Sequence, residues 1–361
     1  MREYLSLTGI RAIAAYMVFI HHYLGTNCTG DFWCPVVLEL HSGVAIFFVL
    51  SGFLITLRYY QSSSINFTWL KNYYISRFAR IYPLFFLITL VTLIVLGSTP
   101  YEWLLSLSFL KGLSSEYKFI VISQTWTLTV EVIFYFLAPF LFIINKKNGS
   151  FLLQFLLIFL IGVFITTGGN IGELGTFIQS HLFLFSYTFF GRSFEFLVGI
   201  ALALLILRKP LRLTSSIYTY IGLLGIVLTI TLISSFQSPE FRYGVFSPVG
   251  LLIHNLLLPM FIGIMFLGLI AETTLVSSFL SGPVMNLLGK SSYAFYLIHF
   301  GVLADLIPGF FRFNMLTFFI MLNLIAVALY FLIEKPLNTG IKKLATRARL
   351  NIIQRHKRLL G

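Results

Sequence analysis

"LTGIRAIAAYMVFIHHYLG", residues 7–25, has the apolar length of a membrane helix, yet it carries Arg11 near its start and the pair His21 and His22 near its end. About 20 residues of helix cross ~30 Å of hydrocarbon, and each ionisable group placed there is costly unless it finds a partner. Eleven steps of 100° bring His22 about 20° past three full turns from Arg11, so the two share one helix face, about 16 Å apart along the axis. Ala15 and Val18 fill the stripe between them, small enough to let another group lie along the helix. His21 points about 100° away. Two readings stand. Either Arg11 snorkels to one headgroup layer while the histidines sit in the other, or the stripe faces a polar interior.

The remaining sequence fixes the class of protein. Of 361 residues, 58% are hydrophobic and 10% charged, with a mean hydropathy of +0.92, far outside the range of soluble domains. The expectation is an all-α polytopic membrane protein of about ten spans, near 5–25, 38–58, 80–97, 124–144, 150–167, 184–207, 214–235, 249–270, 288–308 and 315–333. The start of the chain lacks the ordered regions of a cleavable signal, so the first span is expected to be retained. The net charge of +13 does not point to nucleic acid, because the basic residues sit in short clusters between apolar runs. With both termini cytoplasmic, all 25 Lys and Arg except Lys111, Lys118, Arg192, Arg242 and Arg312 fall on the inner side, the asymmetry expected when positive charge stays in the cytoplasm. Residues 339–361 alternate basic and apolar positions at helical spacing, which suits an amphipathic tail on the anionic inner leaflet. No internal repeat is visible.

Cys28 and Cys34 lie in the first outer loop, where they are either bridged or free thiols. No further His or Cys lies close by in sequence, so no metal site is expected.

Further polar residues interrupt the apolar runs. "HSGVAIFFVLSGFLI" holds Ser51 and Gly52, a small-residue notch where two helices can approach closely. In "SRFARIYPLFF", Arg77 and Arg80 are neighbours on one helix face, either an anion site matched to phosphate or an ordinary positive flank. "QTWTLTVEVIFYFLAPF" places Glu131 in an apolar helix with Thr127 one turn before and Tyr135 one turn after. A carboxylate there demands a partner. Arg192 in "GRSFEFLVG" is one, although Glu195 competes for that arginine. "LGKSSYAFYLIHFGV" sets Ser292, Tyr296 and His299 on one face.

Taken in order, "LTGIRAIAAYMVFIHH", "GVAIFFVLSGFLI", "RFARIYPL", "QTWTLTVEVIFYFLAP", "LGKSSYAFYLIHF" and "IEKPLN" resemble the bacterial membrane-bound acyltransferase family 3, from about residue 5 to residue 338. Residues 1–338 would form its transmembrane domain and 339–361 the basic tail. The resemblance implies a ten-helix protein of the bacterial inner membrane that moves an acyl group, most often acetyl, from cytoplasmic acyl-CoA to a hydroxyl of a surface glycan such as lipopolysaccharide O-antigen. It implies the arginine-to-histidine motif at Arg11 and His22 and the paired arginines at Arg77 and Arg80. The family's usual "WSLSVEEQFY" is here "WTLTVEVIFY", so Thr127 replaces serine and Val132 the second acid, while Glu131 is retained. Some members carry a fused outer esterase-like domain, which a chain of this length is not expected to contain.

Acyl transfer to an alcohol needs a base, a group to orient it and donors for the oxyanion. His22 is expected to be the base and Glu131 its orienting carboxylate. Arg11, Arg77 and Arg80 would line the path of acetyl-CoA, and Trp126, Tyr296 and His299 would meet the acceptor or the oxyanion. Acetyl-CoA would be a donor substrate, with no permanently bound cofactor. The rival reading is a proton-coupled transporter or flippase of glycans or lipids whose buried Glu and His carry protons.

Overall fold

The computed structural model describes residues 4–25, 28, 30–61, 65–147, 150–168, 180–208, 216–304 and 314–346. Among them every regular element is a helix, as lipid requires of a chain whose backbone groups must be satisfied within the segment. The long helices are α1 (Leu5–Leu24), α3 (Gly43–Tyr59), α4 (Phe67–Leu96), α6 (Trp126–Lys147), α7 (Phe151–Gly168), α9 (Phe189–Arg208), α10 (Tyr218–Ser234), α12 (Leu258–Ala271), α14 (Pro283–Ile298) and α15 (Met315–Leu329). Short helices α2 (Cys34–Leu38), α5 (Pro100–Leu107), α8 (His181–Tyr187), α11 (Pro248–Leu252) and α13 (Leu275–Ser281) join or extend them. Six continuous segments among the described residues are long and apolar enough to cross a membrane: Cys34–Tyr59, Phe67–Leu96, Ser123–Lys146, His181–Arg208, Pro248–Ala271 and Met315–Thr346. Phe151–Thr167 and Tyr218–Ser234 are apolar but shorter. The helices that carry Arg11, His22 and Tyr296, α1 and α14, are diluted by those polar residues. They pack on each other and contribute Ala15, Val18, Phe19, Phe295 and Tyr296 to the largest hydrophobic core among the described residues.

The third span begins 13 residues before the expected position 80. Asn66 caps it, its side-chain oxygen accepting from Trp69 N at 2.9 Å. That cap lies upstream of the apolar run and is invisible to hydropathy, and it places Arg77 and Arg80 inside the helix instead of at its end. The last helix does not stop near 333. A π-helical turn at Tyr330–Glu334 leads without a break to Thr346, so the expected tail begins as the same helix. Residues 347–361 lie outside the described residues, as do Arg312 and the end of the expected span 288–308. Arg192, grouped with the outer cations, is buried.

The notch at Ser51 and Gly52 is a helix crossing. α3 packs most extensively on α9, and an added Cβ at Gly52 would lie 2.2 Å from Phe196 O, while one at Gly199 would lie 2.0 Å from Val49 O. No side chain fits between the backbones. Gly199→Ala is therefore expected to cost roughly 1–3 kcal/mol of overpacking strain, seen as a lower melting midpoint of the purified protein. An unchanged midpoint would mean that the two helices part freely.

Candidate active site

A cavity of about 620 Å³ runs between α1, α3, α4, α6 and α14. Its lining reaches from Arg58 and Lys342 at one end, the basic end, to Thr127 and Tyr296 toward the end that holds the histidines. Arg11, Arg77, Arg80, Glu131 and Tyr296 all line it. Residues from six separate stretches of sequence thus converge on one space.

Glu131 meets hydroxyls. Its Oε1 accepts from Ser51 Oγ at 2.5 Å and from the Tyr135 hydroxyl one turn along its own helix. Arg192 is satisfied elsewhere: its Nη2 lies 2.6 Å from Glu195 Oε1, and both residues are buried. Glu195, not Glu131, is thus the partner of that arginine. Arg80 is likewise committed, to Glu334 of the "IEKPLN" segment, a residue that periodicity alone did not single out. Arg77 stacks between aromatic faces, its guanidinium 5.3 Å from the Tyr59 ring centre and 5.6 Å from that of Tyr135. The buried Nε atoms of Arg11 and Arg77 have no hydrogen-bond partner within the protein. Buried cationic donors left this way carry an energetic cost that an anionic ligand would relieve.

His22 sits beyond the cavity and is oriented by another imidazole. His299 Nδ1 lies 2.8 Å from the carbonyl of Tyr296. A carbonyl can only accept, so Nδ1 of His299 carries hydrogen and, in the neutral ring, its Nε2 is bare. That nitrogen is 3.1 Å from Nδ1 of His22 and accepts its proton, which leaves Nε2 of a neutral His22 as the proton-accepting nitrogen. The tautomers follow from the hydrogen-bond network. The expectation that Glu131 orients His22 is thus replaced by a finding: His299 holds that position, and Glu131 holds Ser51 and Tyr135. His22 also stacks on Phe300, ring centres 4.2 Å apart.

Tyr296 links the two regions. Its hydroxyl lies 3.1 Å from Thr127 Oγ1 and its backbone carbonyl receives His299. Gln124, which opens the "QTW" stretch, reaches the carbonyls of Tyr296, Leu297 and Phe300 with its Nε2. It thereby satisfies acceptors at and just beyond the end of α14. The signal for this residue was its position just before an apolar helix, but its target is 172 or more positions away in sequence. Trp126 does not line the cavity; its ring packs edge-on against Tyr187, 4.9 Å between centres. His21 faces away from His22's partner, toward His41 and Tyr243, at 5.1 Å and 5.7 Å between ring centres.

Cys28 and Cys34 form a disulfide just beyond the histidine end of α1. No group of side chains among the described residues is arranged to hold a metal ion.

The architecture is that of a multi-pass helical membrane protein with a polar cavity opening among cationic side chains. The match to the acyltransferase domain family covers residues 4–335, and the chain belongs to that family, acyltransferase 3. Over 340 residues it is 27% identical to a Staphylococcus aureus (strain COL) protein provisionally named an O-acetyltransferase, a match covering 84% of this chain and 51% of that one. Over 354 residues it is 24% identical to the peptidoglycan O-acetyltransferase OatA of Listeria monocytogenes serovar 1/2a, covering 85% and 50%. The chain spans about half the length of these relatives. No solved structure matches it significantly.

Proposed function

We propose that the chain is the membrane-embedded catalytic unit of an O-acyltransferase, which takes an acyl group, acetyl by preference, from acyl-CoA and delivers it to a hydroxyl of a surface glycan. The observation that carries this reading is the cavity, with unsatisfied arginine donors in its wall and a base-competent histidine beyond its far end. CoA is polyanionic and cannot enter hydrocarbon, so its nucleotide stays at the basic end, and the charge asymmetry supports a cytoplasmic position for that end. Both termini then lie inside, in the bacterial inner membrane. The thioester enters along Arg11 and Arg77.

At the histidine end the acceptor oxygen attacks the thioester carbonyl. Its proton passes to Nε2 of His22, the C–S bond breaks, and the departing thiolate takes a proton to leave as CoA. His299 fixes the base. Glu131 holds the Ser51 and Tyr135 hydroxyls and opposes the charge of the nearby arginines. The name of the Listeria relative supports a glycan acceptor, and peptidoglycan over lipopolysaccharide.

Purified protein reconstituted in vesicles and given acetyl-labelled acetyl-CoA with glycan fragments is expected to release CoA and label the fragments. Glycan or lipid translocation coupled to proton flux, without CoA release, would establish the transporter reading in its place.

A further inference from the structure

The expected phosphate site was the pair Arg77 and Arg80, yet Arg80 is tied to Glu334. The cation count for a ligand with several phosphates must be completed elsewhere. Beyond the π-helical turn, Lys335, Asn338, Thr339, Lys342, Lys343 and Thr346 follow one another at intervals that place them on one helix face. This stripe forms a wall of a second, open cavity of about 640 Å³. The two cavities adjoin: Arg80, Tyr330, Asn338 and Lys342 line both. Arg58 and Lys290 add positive charge to the inner one. Among the described residues, the only carboxylates lining either are Glu131 and Glu334, the first held by two hydroxyls and the second by Arg80.

We propose that this stripe, with Lys342 at the junction of the two cavities and Lys335 and Lys343 beside it, is the seat of the phosphorylated adenosine end of the acyl donor, while the inner cavity takes only the pantetheine arm. The assignment rests on the reading of acyl-CoA as donor. It divides the donor between two helices: α4 supplies Arg77 for the inner part, and the continuation of α15 supplies the lysines for the outer part. Lys342 stands where the two cavities meet, on the stripe that takes the adenosine end. A flexible ammonium suits a phosphate reached from solvent, where it acts as a point charge and not as a planar fork.

The anion chemistry is shared by a phospholipid headgroup, so the experiment separates the two sources. The full chain in zwitterionic vesicles, without and with added phosphatidylglycerol, is titrated with CoA, with 3′-dephospho-CoA and with 4′-phosphopantetheine, which lacks the adenosine end. Lys342→Ala is expected to weaken CoA about tenfold, the loss of a charge-assisted contact, to weaken 3′-dephospho-CoA less, and to leave 4′-phosphopantetheine unchanged. Lys342→Arg is expected to restore CoA binding, which shows that the loss is of charge and not of fold. Equal weakening of CoA and 4′-phosphopantetheine, or no change in CoA, overturns the assignment. So does a variant with normal CoA affinity that no longer responds to phosphatidylglycerol in the vesicles, which would make the stripe a lipid contact. A wild-type protein that binds 4′-phosphopantetheine but gains nothing from the adenosine end removes this seat alone. One that binds none of the three removes the acyl-CoA reading as well.

Discussion

His22→Ala is expected to lower acyl transfer about 10³-fold, the scale on which a positioned general base acts, while leaving CoA affinity and the melting midpoint close to wild type. The expectation rests on the hydrogen-bond order from the Tyr296 carbonyl through His299 to His22, which places the proton of a neutral His22 on Nδ1 and leaves Nε2 unprotonated. His21→Ala is expected to lose less than about tenfold, because its ring faces His41 and Tyr243 and lies outside that order; a neighbour that only supports the site costs less than the base itself. Turnover measured with saturating donor and acceptor on both variants decides the point. Equal losses from the two histidines would show that the end of α1 serves as a unit and that no single ring is the base.

The second large effect concerns Glu131. Glu131→Gln keeps an oxygen that accepts from Ser51 and Tyr135 but removes a negative charge from a cavity that also holds Arg11, Arg77 and Arg80. Transfer is expected to fall about 10²-fold, in line with the loss of one preorganised electrostatic contact. CoA affinity should hold or tighten, since the cavity becomes more positive. Stability should change little, because the buried arginine that competed for this role, Arg192, is paired with Glu195 and loses nothing. By contrast, breaking a buried ion pair costs roughly 3–5 kcal/mol, so a large drop in melting midpoint would reveal a structural ion pair at Glu131. A fully active variant would remove Glu131 from the catalytic account.

The residues that build the cavity were legible because each interrupts an apolar run, and lipid makes every such interruption expensive enough to notice. Arg11, Arg77, Arg80, Glu131 and Tyr296 line one space, although the facial spacing joined Arg11 to His22, which lies beyond it. What one sequence does not contain is which polar residue meets which. The partner of Arg80 is 254 positions away and that of His22 is 277, whereas helical periodicity reports only neighbours within a turn or two. Chemical plausibility alone therefore favoured a carboxylate beside His22, where the structure has an imidazole. Helix ends were hidden for a related reason. The start of α4 is set by the Asn66 cap, a local polar contact with no apolar signature, so a reading based on hydropathy began the span only where the run becomes continuously apolar.

The π-helical turn at Tyr330–Glu334 gives the last helix two phases. Such a turn holds one residue more than an α-turn, so every side chain after it is rotated by about 100° from where a regular helix would carry it. Before the turn the helix presents apolar residues such as Leu316, Ile320 and Leu324 to the surroundings; after it, the lysine stripe faces the cavity. The extra residue thus works like a gear offset between an apolar half and a cavity-lining half of one rod. Chain length through these five positions is then constrained as well as the identity of Glu334, the partner of Arg80, because a loss or gain of one residue there would turn the whole cationic stripe away from the cavity while leaving its composition intact.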